Sequence, residues 1–302
     1  MKYTKLALMI AGLLFSCFTI ADAAKAEGSR SYIAPSGSDN RPCSRAQPCR
    51  TFDGALAKTD AGGEIIALET GTYEPTTITK SITLTAAPSA DVVIRATSGN
   101  AVTINVSPVD LVVLRGLKLS GPGQNSNVNG VLVAFESQGT ILIENCVISN
   151  FATGVHMVID KSARLGISDS VIRNNLTGLT AASPGTEAMG AFASRTRFER
   201  NQVGVRAPSG KPTVLRDCVV SGNNTGLRTE QNGALIITSS LVTKNSVGIE
   251  IATGRAFIAS SVISSNTTGI ESSGTVRSVG NNVFTENDID ISGPPAVLAS
   301  TM

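Results

Sequence analysis

The fold is decided by the stretch Ser170-Val171-Ile172-Arg173-Asn174-Asn175-Leu176-Thr177-Gly178-Leu179, which returns in altered form along most of the chain. Its pattern is a small polar residue, a large apolar residue, an Asn, and a Gly followed by an aliphatic residue. The Gly of each copy stands at Gly130, Gly154, Gly178, Gly204, Gly226, Gly248 and Gly269, and Asp290-Ile291 form a degenerate last copy. The intervals between these Gly residues are 24, 24, 26, 22, 22 and 21 residues. Internal repeats of this length are typical of solenoids.

An Asn precedes the repeated Gly by three positions. These residues are Asn127, Asn175, Asn201, Asn223, Asn245, Asn266 and Asn287, and only the second copy has Phe151 instead. Asn tolerates left-handed backbone geometry, and its amide can bind the amide one repeat away. We therefore interpret the column as a structural ladder at a turn, with ligand binding as the alternative. The Asn-x-Ser/Thr sites at Asn175, Asn223 and Asn266 belong to the same turns.

Each copy contains short Val- and Ile-rich runs between turns, and none of them has a helical period. Such runs bury their apolar residues only by stacking on neighbouring copies, as in a parallel β-solenoid. Leucine-rich repeats have a similar period, but their Leu-x-x-Leu-x-Leu framework is missing here. The repeats therefore predict an all-β solenoid.

A small polar column lies eight positions before each Gly from Gly154 onward and contains two cysteines. Cys146 and Cys218 occupy equivalent places three rungs apart, which is roughly 14 Å at the usual strand spacing. A disulfide cannot bridge that distance. The sequence thus predicts two free thiols in the core.

Residues 1–23 have the features of a secretory signal: Lys2 and Lys5, an apolar run from Leu6 to Ile20, and the cleavage motif Ala21-Asp22-Ala23. We therefore expect a secreted or periplasmic protein without a membrane span, with a lipoprotein signal at Cys17 as the alternative. With 25 Lys+Arg and 23 Asp+Glu, its formal net charge of +2 gives no indication of nucleic-acid binding.

Residues 24–62 are expected to form an N-terminal loop and a capping helix. Cys43 and Cys49 lie in one polar loop, and the exported compartment favours a disulfide over the alternative of a metal pair. Thr51 to Ala61 is predicted as a short helix that covers the first rung. The β-helix is expected over residues 63–292, followed by a tail at residues 293–302. The sequence leaves open whether this tail pairs with another chain, and it leaves the oligomeric state open as well.

The segment Tyr32 to Ala86 resembles the opening of secreted bacterial right-handed parallel β-helix proteins. It combines the Cys43 and Cys49 loop, the helix, Gly-Gly-Glu-Ile, Gly-Thr-Tyr and Ile-Thr-Lys-Ser-Ile-Thr-Leu. The resemblance continues at Val112 to Leu117 and at Ile143 to Ile148. It implies the pectin lyase-like superfamily, a right-handed single-stranded parallel β-helix, and relatives that cleave, de-esterify or epimerise acidic polysaccharides. A resemblance in fold does not by itself show which reaction, if any, a protein catalyses.

The catalytic motifs of that superfamily are missing from this sequence. It has no Asn-Thr-Asp, Asp-Asp and His-Gly set of a polygalacturonase and no clustered calcium-binding Asp residues with an Arg-Gly-Pro element. Its single histidine, His156, has no Ser or Asp partner at triad-like positions. We therefore predict no metal site and no cofactor.

Candidate binding residues come from the position after each aliphatic residue, which points outward if the aliphatic residue points inward. This column reads His156, Thr180, Arg206, Arg228, Glu250 and Glu271. One interpretation is a solvated charge ladder, and the other is a basic stripe for carboxylated sugar. All length variation follows the Gly, so the long turns share one edge. Together these features give the candidate binding set His156, Asp160, Lys161, Arg206, Lys211 and Arg228.

Two hypotheses follow for the function. The first is an exported non-catalytic solenoid that binds polysaccharide or cell-envelope glycan. The alternative is a polysaccharide lyase or glycoside hydrolase acting on an acidic glycan. Two or three carboxylates in one groove would favour the enzyme.

Overall fold

A computed structural model describes residues 28–158, 163–182, 190–294 and 297–299, and these residues form a parallel β-solenoid. Each turn of the chain contributes one strand to each of three sheets, which we name A, B and C in the order in which the chain visits them. Every pair of neighbouring strands is parallel and comes from consecutive turns. The predicted all-β solenoid is confirmed.

Sheet A contains twelve strands within the described ranges: β1 (Arg30–Ile33), β2 (Gly63–Ala67), β5 (Ile82–Ala86), β8 (Leu111–Arg115), β11 (Thr140–Glu144), β14 (Arg164–Ser168), β17 (Ala191–Ser194), β20 (Thr213–Arg216), β23 (Ala234–Thr238), β26 (Arg255–Ala259), β29 (Thr275–Val279) and β32 (Val297–Ala299). Sheet A therefore extends beyond the predicted solenoid range of 63–292 at both ends. β1 pairs with β2, and β32 pairs with β29.

Sheets B and C contain ten strands each in the same described ranges. Those of sheet B are β3 (Gly71–Tyr73), β6 (Val92–Arg95), β9 (Lys118–Ser120), β12 (Val147–Ser149), β15 (Val171–Arg173), β18 (Arg197–Glu199), β21 (Val219–Ser221), β24 (Leu241–Thr243), β27 (Val262–Ser264) and β30 (Val283–Thr285). Those of sheet C are β4 (Thr76–Ile78), β7 (Val102–Ile104), β10 (Asn129–Val133), β13 (Thr153–Val158), β16 (Thr177–Ala182), β19 (Val203–Ala207), β22 (Thr225–Thr229), β25 (Val247–Ile251), β28 (Thr268–Ser272) and β31 (Ile289–Ser292).

The core is a set of stacked apolar columns inside the three sheets. The aliphatic residues that follow the repeated Gly, such as Val155, Leu179 and Val205, are fully buried. The predicted inward direction of this column is therefore correct. The residue before each of these aliphatic residues has to be Gly, because neighbouring rungs lie too close there for a Cβ atom. A Cβ at Gly204 would lie 2.4 Å from the carbonyl oxygen of Gly226 on the next rung.

The turn between sheets B and C is held by an amide ladder. Asn201 Oδ1 accepts two hydrogen bonds from Asn175, one from its backbone N–H at 2.9 Å and one from its side-chain Nδ2 at 3.1 Å. Its own Nδ2 donates to the Ile172 carbonyl at 3.1 Å. The same contacts repeat on the rungs that follow, through Asn223, Asn245, Asn266 and Asn287.

Asn127 differs from the rest of the predicted column, because its side chain is exposed. The residue at the equivalent place on the next rung is the buried Phe151, which has no amide oxygen to accept a bond from Asn127. The ladder begins instead where the backbone N–H of Phe151 donates to Asn175 Oδ1 at 3.0 Å.

The small polar column forms a second ladder at the turn between sheets A and B. The backbone N–H of Cys146 donates to Ser170 Oγ, and that of Cys218 donates to Ser240 Oγ, each at 3.1 Å. Both cysteines are buried free thiols, as predicted.

The first rung is covered by the helix α1 (Phe52–Leu56), whose Phe52 and Ala55 are buried. The predicted range of Thr51 to Ala61 is too long at its end. The backbone N–H of Asp60 donates to Gly28 rather than to the helix, so the chain turns back toward β1. Thr51 is the N-cap and accepts a bond from the Gly54 N–H at 2.9 Å.

Candidate functional site

The predicted column on sheet C has the register expected from the sequence, and all of its members except the buried Thr180 are half-buried or exposed. His156 pairs with Thr180, Thr180 with Arg206, and Arg206 with Arg228. The column continues through Glu250 to Glu271. Because neighbouring rungs are about 4.8 Å apart, the two arginines lie side by side on the outer surface.

The two arginines are held by a carboxylate that the sequence pattern did not single out. Glu230 follows β22, and its Oε2 lies 2.6 Å from Arg206 Nη2, while its Oε1 lies 2.8 Å from Arg228 Nε. Arg228 Nε also lies 3.5 Å from Glu250 Oε1. Hydrogen bonds from Arg206 lower the pKa of Glu230, and the charges of both arginines act in the same direction.

These contacts leave little positive charge for a ligand at the sheet C column. Two guanidinium groups face two carboxylates, and the depression beside them has a volume of only about 230 Å³. Arg228 Nε is buried and makes no hydrogen bond within the described structure, so its contacts with the two glutamates are ion pairs. This geometry favours the charge-ladder interpretation over a basic stripe.

Two of the remaining members of the predicted site, His156 and Lys211, lie in the described part of the chain. His156 is half-buried two rungs away from Arg206, and burial lowers its pKa, with a smaller contribution from the Arg206 charge. Lys211 is exposed in the turn between β19 and β20. Asp160 and Lys161 lie outside the described residues.

A larger depression, of about 710 Å³, lies on the outer face of sheet A at its N-terminal end. We name it the sheet A groove. Its lining is formed by Ser29, Arg30, Tyr32, Ser44, Arg45, Gly62, Gly63, Glu64, Thr83 and Arg115. Three arginines and one glutamate give these residues a formal charge of +2.

Strands β1, β2, β5 and β8 position the side chains on the floor of the groove. Arg30 pairs with Glu64 at 3.1 Å, and Arg115 pairs with Glu144 at 2.9 Å. Arg45 is exposed and has no ion pair within the described structure. Its guanidinium is therefore the one arginine of the groove that is available to an anion.

The wall that carries Arg45 is the loop closed by the Cys43–Cys49 disulfide. The Tyr32 N–H donates to the Cys43 carbonyl at 2.8 Å, and the Cys49 N–H donates to the Tyr32 carbonyl at 2.9 Å. The loop thus lies against β1 on the side opposite β2. The predicted disulfide is confirmed, and its structural effect is to fix the loop beside the groove.

Beyond the groove, the outer face of sheet A continues as an apolar stripe. Its members form one register column and are Val113, Leu142, Phe192, Val214, Ile236 and Phe257, with Gly166 between the second and third. Phe192 is 42% exposed. An exposed aromatic ring offers a flat apolar surface that can pack against another flat group.

Neither a metal cluster nor a membrane helix occurs in the described residues. No three side chains of His, Cys, Asp or Glu come together there in a way that could hold a metal ion. In the same part of the chain, no helix has the length and apolar character that crossing a bilayer requires.

Comparison with known proteins connects this geometry to a family. The model of the family described as "right handed beta helix region" matches residues 102–289. No curated protein matches the chain.

Similar solved structures include three proteins of the same fold. Pectate lyase Pel9A is 16% identical, with 89% of this chain and 72% of that chain covered and a TM-score of 0.58. The A-module of mannuronan C-5 epimerase AlgE6 from Azotobacter vinelandii is 14% identical, with 83% and 94% covered and a TM-score of 0.55. The enzymatically active domain of tailspike protein 2 from bacteriophage CBA120 is 13% identical, with 84% and 42% covered and a TM-score of 0.51. These likenesses show the fold.

Proposed function

The chain belongs to the right-handed β-helix family, and from that premise we propose that it is an exported, non-catalytic protein that binds an acidic polysaccharide in the sheet A groove. The observation that carries the proposal is the unpaired Arg45 in a depression of about 710 Å³, where the other two lining arginines are paired with Glu64 and Glu144. Arg presents a planar fork of donors that matches a carboxylate in two-pronged contact.

The shape of the surrounding surface supports a chain-like ligand. Tyr32 lies within the groove, and the apolar stripe with Phe192 continues from it along the outer face of sheet A. Aromatic rings pack against the apolar faces of sugars, while arginines hold the carboxylates. Proteins that share this fold include enzymes named for pectate and mannuronan.

The carboxylates of the groove support binding rather than hydrolysis. Glycosidases use two carboxyl groups that flank the bond to be broken. Glu64 is the single carboxylate among the residues that line the groove, and it is paired with Arg30. The lining residues therefore lack the pair of carboxyl groups that a glycoside hydrolase needs.

The test is retention of the purified protein on columns of polygalacturonate, alginate and a neutral glucan, with and without calcium. We expect retention on an acidic column and its loss in Arg45→Gln. Arg50→Gln is the matched control, because Arg50 follows the same disulfide loop, is exposed, and lies outside the groove lining. Retention lost equally in both variants, or absent from the wild-type protein, would contradict the proposal.

The same preparations distinguish the enzymatic alternative. Each polysaccharide is incubated with the protein, and unsaturated products and reducing ends are measured. We expect neither to increase. Product formation that persists in Arg45→Gln would place the activity elsewhere in the molecule.

A further inference from the structure

A second cationic feature lies on a different part of the surface, at the turn between sheets B and C. The first residue of this turn has a left-handed backbone on each of seven consecutive rungs. These residues are Asn150, Asn174, Arg200, Gly222, Lys244, Ser265 and Glu286, with φ values of 66°, 55°, 52°, 65°, 56°, 54° and 57°. The column therefore projects side chains outward from one corner of the solenoid.

Gly222 interrupts this column between two cations. The backbone N–H of Arg200 donates to Ser221 at 3.1 Å, and that of Gly222 donates to Thr243 at 3.3 Å, so the three residues stack on successive rungs. Arg200 and Lys244 are then two rungs apart, or about 10 Å between their backbones. The position between them carries no side chain, which leaves a notch.

The notch is open on both sides. One depression of about 390 Å³ is lined by residues that include Arg200, Gly222 and Lys244. A second, of about 520 Å³, shares Gly222 and Lys244 and continues past Ser246 and Thr267. Gly222 and Lys244 therefore border both depressions.

The one carboxylate that lines these depressions, Glu199, is not paired with either cation of the notch. Arg200 and Lys244 are exposed and make no ion pair with any described residue. The nearby Arg197 differs, since it is paired with Glu199. Two unpaired cations that flank an open position attract an anion more strongly than either does alone, because their Coulomb energies add.

We propose that the notch formed by Arg200, Gly222 and Lys244 binds a tetrahedral oxyanion, either a singly charged sulfate ester or a phosphate monoester, which carries a second negative charge above about pH 6. Arg200 supplies a fork of N–H donors, and Lys244 supplies a point charge with three donors. The exposed hydroxyl groups of Ser246 and Thr267 are further donors on the same side. This site is separate from the sheet A groove and does not depend on the function proposed there.

The first experiment measures binding of sodium sulfate by titration calorimetry and by chemical-shift changes at the Gly222 amide. We expect binding by the wild-type protein and an increase in Kd of about fivefold or more in Arg200→Gln and in Lys244→Gln, since each loses one charge-assisted contact. Arg195→Gln is the matched control. Arg195 is an exposed arginine with a left-handed backbone, but it lies at the other turn and is paired with Asp169.

A second variant tests the notch without removing a cation. Gly222→Glu places a carboxylate between Arg200 and Lys244, and the backbone tolerates it because Glu286 occupies the equivalent position with a similar φ. We expect Gly222→Glu to abolish sulfate binding with an unchanged circular dichroism spectrum. Arg45→Gln should leave sulfate binding intact, so that failure of the groove and failure of the notch are distinguishable.

The pH dependence of binding distinguishes a phosphate monoester from a sulfate ester as the ligand. A phosphate monoester gains its second negative charge near pH 6, whereas a sulfate ester has a constant charge. Binding of a phosphorylated sugar should therefore strengthen between pH 5 and pH 8, while that of a sulfated sugar should not. The proposal is overturned if sulfate does not bind the wild-type protein, if Gly222→Glu still binds it, or if Arg195→Gln weakens binding as much as Lys244→Gln does.

Discussion

Arg206 and Glu230 form a two-pronged contact on the outer face of the solenoid, with Arg206 Nη2 at 2.6 Å and Nε at 3.0 Å from Glu230 Oε2. The same carboxylate lies 2.8 Å from Arg228. A column that reads as basic in the sequence is therefore internally neutralised. Partly exposed pairs of this kind contribute at most about 1 kcal/mol each to stability.

Arg206→Gln combined with Arg228→Gln should change retention on acidic polysaccharide by less than about twofold, because both guanidinium groups already face carboxylates. Glu230→Gln should increase retention, since it releases Arg206 and leaves Arg228 paired with Glu250 alone. Affinity chromatography at low and high salt measures both effects. A clear loss of retention in the double variant would instead support a basic stripe at this column.

Asn223→Ala should lower the free energy of unfolding by about 2–4 kcal/mol, because it leaves several buried backbone and amide groups without partners. Asn223 Oδ1 accepts from Asn201, and its Nδ2 donates to Phe198 at 3.0 Å and to Asn245 at 2.9 Å. Asn287→Ala should cost less, because that end of the ladder is only half-buried. Urea unfolding of the two variants makes the comparison, and equal losses would contradict it.

Cys146 and Cys218 should resist alkylation in the folded protein. Burial raises the pKa of each thiol to about 11, so the reactive thiolate is scarce at neutral pH. The Sγ atoms also lie against the carbonyl oxygens of Glu144 and Arg216, each at 3.3 Å. Iodoacetamide followed by mass spectrometry should modify both only after denaturation, and labelling of the native protein would argue against their burial.

His156 should make the protein less stable below neutral pH. Burial and the Arg206 charge hold its folded-state pKa below the ordinary value near 6.5, so the unfolded chain binds the proton more readily. Above pH 6.5 His156 is neutral in both states and does not affect the free energy of unfolding. As the pH decreases from 6.5 toward the folded-state pKa, the unfolded chain takes up the proton first and the protein becomes less stable. Thermal unfolding between pH 7.5 and pH 5 should show a smaller decrease in Tm for His156→Gln than for the wild-type protein.

Asp290→Gly should promote association through the edge of β31, which is the terminal strand of sheet C among the described residues. Asp290 occupies the place of the repeated Gly, where a Cβ approaches the carbonyl oxygen of the following rung to 2.4–2.6 Å. Its side chain therefore blocks an added strand in the same register, and unblocked edges are prone to pairing. Light scattering over a concentration series should detect oligomers of Asp290→Gly but not of Asp290→Ala, which keeps the Cβ. Association of both variants would indicate a charge effect.

The sequence by itself determined the solenoid, the inward and outward columns, the amide ladder from Asn175 onward and the two free thiols. Consecutive copies of a repeat stack in register, so a linear spacing maps directly onto neighbouring rungs. The Cys43–Cys49 disulfide also followed from the sequence, since the two residues share one short loop.

Only the tertiary structure decided which charges are available to a ligand. Glu230, in the turn after β22, neutralises Arg206. The non-repeating loop with Arg45 lies against β1 and forms one wall of the sheet A groove. Gly222 leaves a notch because its neighbours in space are Arg200 and Lys244, which are 22 residues away in each direction. Turns and non-repeating segments carry no period, so the positions of their side chains depend on contacts that form only when the rungs are stacked.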